Sequence, residues 1–180
     1  MTFSYLNNSD IIEICPNIHN DERGHFFECF HKKSLCDFLN QEINFVQENQ
    51  SFSTKNIFRG MHYQIPPVAQ SKLIKVNSGS ILDILIDIRK SSKNFLKVYN
   101  IILSEKNKKQ LFIPRGYAHG FYVLSENAVV EYKIDNYYSK KHERIISIKD
   151  KAFSFLNLNK MILSYKDNSA PLLKNSDFFN

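Results

Sequence analysis

The sequence predicts an all-β domain built from many short strands. Short apolar runs follow one another closely along the 180 residues, separated by turn residues. Neither an internal repeat nor a Pro/Gly/Ser-rich linker interrupts them. A chain of this length buries roughly 70% of its unfolded surface in one core. We therefore expect a single domain over residues 1–180, whose strands close into a barrel or a sandwich.

Alternation of side chains identifies the first strands. Residues 43–47 and 71–76 alternate apolar and polar side chains, as a strand does when one of its faces is wet. Residues 80–88 are richer in β-branched side chains, which favour strands. The turn at residues 77–80 joins the last two segments, so it predicts a hairpin over residues 71–88.

Two carboxylates interrupt the third of these strands. Asp83 and Asp87 are four residues apart, so they lie on the same face. On an inward face both would need polar partners, whereas on an outward face both would be solvated. The sequence favours neither arrangement.

The second half of the chain continues the strand pattern. Three further strands are expected at residues 95–103, 121–124 and 128–132. We expect the last two to pair with each other, and Pro114 with Gly116 to enforce a turn before them. Two short helices, at residues 32–39 and 160–163, are the only helices predicted, so the strands carry the fold.

The charge of the chain limits its partners. The formal net charge is +6, and a basic surface can bind nucleic acid, an anionic membrane or a phosphorylated small molecule. Many lysines stand beside asparagines in turn-like stretches such as residues 106–109, which is typical of a solvated surface. No nucleic-acid partner is expected.

Cysteine usage and hydropathy indicate the compartment. Cys15, Cys29 and Cys36 are odd in number and lack Cys-x-x-Cys spacing, so they predict neither a disulfide framework nor a thiolate zinc site. The chain has no signal-like N-terminus and no apolar run of the roughly 18 residues that a membrane span requires. We expect a cytoplasmic protein with no membrane partner.

Polar residues that could perform chemistry are densest over residues 59–64. Strict alternation points Arg59 and His62 to opposite faces, unless Gly60 bends the strand. Upstream, three neutral hydrogen-bonding side chains at period two form a face that suits a polyhydroxylated ligand: Gln47, Asn49 and Ser51.

His62 and His119 stand beside glycines in the contexts Arg-Gly-x-His and Ala-His-Gly, where backbone can approach a ligand closely. The chain has no His-x-His pair and no Glu at a suitable interval, so these two imidazoles would leave a metal's coordination sphere half empty. No metal is expected. Their positions alone do not separate a structural from a catalytic role.

Eight segments, in order, resemble those of the dTDP-4-dehydrorhamnose 3,5-epimerase family. They include Arg59-Gly60-Met61-His62-Tyr63-Gln64 and Ile113-Pro114-Arg115-Gly116-Tyr117-Ala118-His119-Gly120-Phe121. The others are residues 21–28, 47–51, 69–73, 87–89, 131–133 and 136–138. The resemblance implies a cupin-like jelly-roll β-barrel with a few short peripheral helices. It also implies a homodimer that exchanges N-terminal strands, a C-terminal segment folded back over the barrel, and no metal or organic cofactor.

The resemblance also implies catalytic roles. His62 would be the base, with Asp167 orienting its ring, and Tyr132 would supply a proton on the opposite face. Lys72 would stabilise the enolate oxygen. Without the resemblance, Asp167 is interpreted as a turn or cap carboxylate and Tyr132 as a half-buried strand tyrosine.

Ten further positions match the family's substrate contacts. Arg23, Arg59 and Lys166 would bind the diphosphate, although surface ion pairing is the alternative for the arginines. The other seven would line the nucleotide or the sugar, some of them from the partner subunit: Phe26, Glu28, Gln47, Asn49, His119, Tyr138 and Glu143.

The implied reaction is an inversion next to a ketone. A 4-keto group acidifies the hydrogens at C3 and C5, so a base and an acid on opposite faces can invert each centre through an enolate. The expected substrate is a dTDP-4-keto-6-deoxy-hexose or a GDP-6-deoxy-4-keto-heptose, used for surface polysaccharide. The alternatives are a C3-only epimerase, a 3,4-ketoisomerase and a sugar-binding cupin without turnover.

Overall fold

Two antiparallel β-sheets form the body of the protein in the computed structural model, which describes residues 1–180. The thirteen strands are β1 (Thr2–Tyr5), β2 (Ile12–Cys15), β3 (His19–Asp21), β4 (Gly24–Phe26), β5 (Gln47–Thr54), β6 (Phe58–Gln64), β7 (Lys72–Ser78), β8 (Ser80–Asp87), β9 (Val98–Ser104), β10 (Gln110–Ile113), β11 (Tyr117–Val123), β12 (Asn127–Ile134) and β13 (Glu143–Ile145). One sheet has the order β1-β2-β10-β7-β12-β5 and the other the order β13-β6-β11-β8-β9, while β3 and β4 pair as a separate hairpin. The predicted all-β class is confirmed.

The main core lies between the two sheets. Ile74 and Val130 from the six-stranded sheet pack with Leu85 and Phe121 from the five-stranded sheet in a cluster of buried side chains. Burial of each such side chain contributes about 1.5–3 kcal/mol. This interior is where any side chain that points inward from either sheet must lie.

Two smaller clusters cover the outer faces of the sheets. Leu35, on the helix α1 (Lys32–Leu39), packs against Leu73 and Phe112 on the outside of the six-stranded sheet. Phe153 and Leu173, from the C-terminal part of the chain, pack against the outside of the five-stranded sheet. The C-terminal part of the chain therefore covers the outer face of the five-stranded sheet.

One of the two helix predictions is confirmed and the other is wrong. Helix α1 has the predicted bounds: His31 accepts the Ser34 amide at its start, and Asn40 ends it in the left-handed region. Lys160 ends a 3₁₀ turn and residues 161–163 are extended instead, because Ile162 exchanges backbone hydrogen bonds with Asn56 and Phe58 at 2.8 and 3.0 Å. The nearby helices are the 3₁₀ turns Lys151–Phe153, Leu158–Lys160 and Leu173–Asn175, and the short helix α2, Tyr165–Asn168.

The strand predicted at residues 43–47 is also wrong, apart from Gln47 at the start of β5. Ile43 is buried against Leu35 beneath α1, and its amide donates to Cys36 Sγ at 3.3 Å. The segment links helix α1 to the sheet. Its alternation of apolar and polar side chains therefore reflects packing against α1 rather than pairing with a neighbouring strand. Residues 95–103 are strand only from Val98.

Neither predicted strand pair exists. Strands β7 and β8 lie in different sheets, and so do β11 and β12. Their apolar faces meet across the core, as Ile74 and Leu85 do, rather than side by side in one ladder. Gly79, with φ +78°, passes the chain from one sheet to the other at a point where a Cβ would lie 2.1 Å from the Asn127 carbonyl oxygen.

The two carboxylates of β8 point inward. Asp83 and Asp87 are both 0% exposed. Asp87 Oδ2 accepts a hydrogen bond from Arg89 at 2.6 Å, and Arg89 also pairs with Asp10. The inward alternative is therefore correct, and Asp83 has a polar partner of its own in His119. None of the helices has the length and apolarity to cross a membrane.

Candidate active site

A cavity of about 500 Å³ lies between the two sheets, and a second space of about 360 Å³ adjoins it. His62, Lys72 and Tyr132 line both, so the two spaces form one site. Eleven of the fourteen site residues predicted from the sequence line these spaces: Gln47, Asn49, Arg59, His62, Lys72, His119, Tyr132, Tyr138, Glu143, Lys166 and Asp167.

His62 and Asp167 form a hydrogen-bonded pair within the site. Asp167 Oδ1 lies 2.7 Å from His62 Nε2, and α2 holds the carboxylate because Ser164 caps the helix and accepts the Asp167 amide at 3.1 Å. Burial alone would raise the pKa of Asp167, but the hydrogen bond and charge of His62 hold it below its ordinary value. The ionised carboxylate accepts the Nε2 proton, which leaves Nδ1 as the basic nitrogen.

Gly60 explains why Arg59 and His62 both line the cavity, where strict alternation predicts opposite faces. Gly60 has φ +135°, and its Cβ position lies 2.3 Å from the Gly120 Cα. The register between β6 and β11 shifts at this point, between His119 and Phe121. The glycines therefore allow the backbones of β6 and β11 to meet, whereas the sequence suggested a close approach to a ligand. The shift in register changes the direction of the side chains along β6.

Tyr132 enters from the opposite sheet. It lies on β12 of the six-stranded sheet, whereas His62 lies on β6 of the five-stranded sheet. Burial raises the pKa of the Tyr132 phenol, and the positive charge of Arg59 offsets only part of this effect. The phenol is therefore protonated at neutral pH and can donate a proton into the cavity.

Lys72 lies beside the backbone of His62. Its Nζ donates to the His62 carbonyl oxygen at 3.2 Å. Burial lowers the pKa of Lys72 to about 8, although the negative charges of Asp83 and Glu143 oppose this change. An ammonium group with few protein partners is suited to binding an oxygen that gains negative charge.

A second histidine–carboxylate pair lies beside the first. His119 is the cross-strand neighbour of His62, and its Nε2 lies 2.5 Å from Asp83 Oδ1. Burial lowers the pKa of His119, with Asp83 opposing the shift. No group of three His, Cys, Asp or Glu side chains has a geometry suited to a metal ion.

Charged and aromatic groups surround the rest of the site. Arg59 is held by Ser53 Oγ at 2.8 Å, and Lys166 pairs with Glu143 at 2.5 Å. Burial raises the pKa of Glu143, but hydrogen bonds from Lys166 and Tyr138 outweigh this and keep it low. Gln47 donates to Asn49 at 2.8 Å on the inward face of β5. The site thus combines cations with neutral hydrogen-bonding groups.

Three predicted site residues lie elsewhere in the single chain. Arg23, Phe26 and Glu28 belong to the β3–β4 hairpin and the residues that follow it, outside both spaces. Arg23 has 82% of its side chain exposed and pairs with Asp21, and Phe26 is 70% exposed. One chain alone does not bring them to His62.

Two polar residues that support the site, Asp83 and Ser164, were not among the site residues predicted from the sequence. Asp83 is buried against His119, and Ser164 holds the helix that carries Asp167. The spacing of Asp83 and Asp87 could have pointed to Asp83, but it did not show whether their face of the strand was inward. A serine before a short helix is too common to identify Ser164.

The fold and the site together define an enzyme in which an imidazole and a phenol, from opposite sheets of a jelly roll, share one cavity. The model of the dTDP-4-dehydrorhamnose 3,5-epimerase family matches residues 6–175. The epimerase of that name from Shigella flexneri is 42% identical over 171 residues, which cover 94% of each chain.

Solved structures agree with this match. The crystal structure of dTDP-4-dehydrorhamnose 3,5-epimerase from Elizabethkingia anophelis superposes with a TM-score of 0.91 at 38% identity, covering 97% of each chain. The Legionella pneumophila dTDP-6-deoxy-D-glucose-3,5-epimerase, solved with dTDP-4-keto-L-rhamnose, gives 0.91 at 38% identity, covering 98% of this chain and 94% of that one. The chain belongs to the dTDP-4-dehydrorhamnose 3,5-epimerase family, and the predicted cupin-like jelly roll is confirmed.

Proposed function

We propose that this enzyme inverts C3 and C5 of a dTDP-linked 4-keto-6-deoxy-hexose that serves surface polysaccharide synthesis. The observation that carries the proposal is the shared cavity, which His62 and Tyr132 line from opposite sheets. Inversion through an enolate needs a base on one face of the sugar and an acid on the other. The names of the Shigella and Legionella relatives support the dTDP-linked substrate.

His62 removes the proton from the carbon next to the ketone. Its Nδ1 is the basic nitrogen because Nε2 is bound to Asp167, and the carboxylate stabilises the imidazolium that forms. Lys72 donates to the ketone oxygen as it becomes an enolate oxygen. Tyr132 then delivers a proton to the opposite face of the ring.

Arg59 and Lys166 provide positive charge for the diphosphate. Arg59 uses its Nε and one terminal nitrogen for Ser53 and the Phe52 carbonyl, which fixes the guanidinium in the cavity wall. A fixed guanidinium binds phosphate oxygens at a small cost in side-chain entropy. Lys166 binds the diphosphate by leaving Glu143, its present partner.

The remaining contacts come from a second copy of the chain. We propose a homodimer that exchanges N-terminal strands, so that the partner's β3–β4 region carries Arg23, Phe26 and Glu28 to the site. Their exposure and their separation from the cavity in one chain support this arrangement. The three cysteines are free, which supports a cytoplasmic location.

Solvent-exchange measurements test the reaction. In deuterated water, the enzyme should place deuterium at both C3 and C5 of dTDP-4-keto-6-deoxy-glucose, as followed by NMR. Deuterium at C3 alone would indicate the narrower C3 epimerase, and none at either position would overturn the proposal. His62→Asn should lower exchange at least about 100-fold, because it removes the general base.

Binding measurements test the nucleotide separately. A ligand that binds the folded state raises the melting temperature according to its affinity. We expect dTDP to give a larger shift than GDP, UDP or CDP in the wild type, and the same shift in His62→Asn. A larger shift with GDP would instead favour the GDP-linked heptose.

A further inference from the structure

Asp83 is buried at a place where a carboxylate is costly. It is 0% exposed and lies on the inward face of β8 between Ile81 and Leu85, which are also fully buried. One oxygen, Oδ1, lies 2.5 Å from His119 Nε2, but the other, Oδ2, is buried without any hydrogen-bond partner. An unpaired buried carboxylate oxygen destabilises the fold, so a compensating role in the site is expected.

The charge of Asp83 acts on Lys72. The titratable groups around this ammonium include His62 from β6, Asp83 from β8, His119 from β11, Tyr132 from β12 and Glu143 from β13. The Tyr132 phenol is protonated and neutral, since burial raises its pKa. Neither histidine favours the charged form of Lys72, since an imidazole carries either no charge or a positive one. Asp83 and Glu143 are the two groups that favour the ammonium form.

Asp83 has fewer hydrogen-bond partners than Glu143. Glu143 Oε2 already accepts from Lys166 at 2.5 Å and from Tyr138 at 2.9 Å, so much of its charge is compensated. Asp83 has a single partner, His119, and burial lowers the pKa of that histidine and so favours its neutral form. The negative charge of Asp83 is therefore available to Lys72 in a poorly solvated interior.

We propose that Asp83 is a positioning residue for the epimerisation: its Oδ1 fixes the His119 ring, and its negative charge keeps Lys72 in the ammonium form that stabilises the enolate oxygen. This inference rests on the proposed function for the role of Lys72 in turnover. The charge effect on Lys72 itself is a property of the free enzyme. The two parts can therefore be tested separately.

The direct test is the titration of Lys72 in the free enzyme, followed by NMR of its labelled side-chain nitrogen between pH 6 and 10. In the wild type it should titrate near pH 8. In Asp83→Asn the midpoint should fall by about one pH unit or more, because a buried negative charge is removed. Asp83→Ser removes the same charge with a smaller side chain, and it replaces Asp83→Asn in this test if the asparagine disturbs folding.

Asp87→Asn is the matched control. Asp87 lies on the same face of the same strand and is equally buried, but its partners are Arg89 and Ser92, outside the cavity. This variant should lose stability and leave the Lys72 midpoint unchanged. An equal shift in both variants, or no shift in either Asp83 variant, would overturn the inference.

The activity profile completes the test. The ammonium is the active form of Lys72, so kcat/KM should be present below its midpoint and lost above it. In Asp83→Asn this alkaline limb should move to lower pH, and a fall of the midpoint by one pH unit corresponds to roughly a fivefold loss at pH 8. If Asp83→Asn shifts the Lys72 titration but the wild-type enzyme shows no turnover, the proposed function alone is refuted. If the wild type turns over the substrate and the alkaline limb of Asp83→Asn stays at the wild-type pH, the role of Asp83 is refuted.

Discussion

At the scale of single residues, the site brings two histidine–carboxylate pairs together with one ammonium group and one phenol. His62 and His119 are cross-strand neighbours, yet their surroundings differ. His62 has 34% of its side chain exposed towards the cavity, whereas His119 is nearly buried. The accessible imidazole is suited to exchange protons with a substrate, and the buried one to remain neutral and contribute a fixed hydrogen bond.

Asp167→Asn tests the orientation of the base. The substitution keeps the size of the side chain but removes the charge that stabilises the imidazolium and selects the tautomer. We expect kcat to fall about 10²–10⁴-fold, with KM and the dTDP-induced thermal shift nearly unchanged. Steady-state kinetics and the deuterium-exchange rate measure the effect.

Asp150→Asn is the control for this variant. Asp150 holds the same C-terminal segment by accepting the Ala152 and Leu173 amides, but it does not line the cavity. It should lower the melting temperature and leave kcat of the folded enzyme close to the wild type. If Asp150→Asn lowers kcat as much as Asp167→Asn does, docking of the segment and not the carboxylate is responsible.

At the scale of elements, the contact between β6 and β11 aims the catalytic strand. These strands carry His62 and His119, and they approach so closely at Gly60 and Gly120 that neither position has room for a Cβ. The contact lies two residues from His62 on β6. A change in the spacing of the two strands therefore moves the imidazole directly.

Gly60→Ala should destabilise the protein by about 3–5 kcal/mol, since it adds a backbone clash to the strain of a positive φ. The free energy of unfolding in urea measures this loss. The control is Gly24→Ala, where φ is +128° but no atom lies within 4 Å of the added Cβ. It should cost only about 1–2 kcal/mol, and equal losses in the two variants would exclude the clash as the cause.

At the scale of the whole molecule, one chain forms the chemical part of the site without all of its predicted substrate contacts. The catalytic groups meet because both sheets face one interior and the C-terminal segment folds back to His62. Arg23 stays exposed on a separate hairpin. Under the proposed exchange of N-terminal strands, Arg23 of the partner subunit completes diphosphate binding.

Subunit mixing tests this arrangement. His62→Asn and Arg23→Ala should each form a defective homodimer, because one lacks the base and the other a diphosphate contact. In heterodimers formed by refolding an equal mixture, one site receives both wild-type residues, so about a quarter of the wild-type activity should return. Activity no higher than the mean of the two separate variants would show that Arg23 serves its own chain or none.

The sequence by itself determined the all-β class, the bounds of helix α1 and most of the polar side chains that line the cavity. Local alternation and capping suffice for the first two, because they depend on neighbours within one or two turns of chain. The motif segments sufficed for the third. They identify residue types and their order, which are unaffected by how the strands pair.

Only the tertiary structure decided which strands share a sheet, which way Asp83 points and how Arg59 comes to lie with His62. A turn such as that at Gly79 has the same local chemistry whether it joins neighbours in one sheet or passes between two. Likewise, the face of β8 that is inward depends on what packs against it. These outcomes are set by contacts between residues far apart in the chain, and a local pattern carries no information about such contacts.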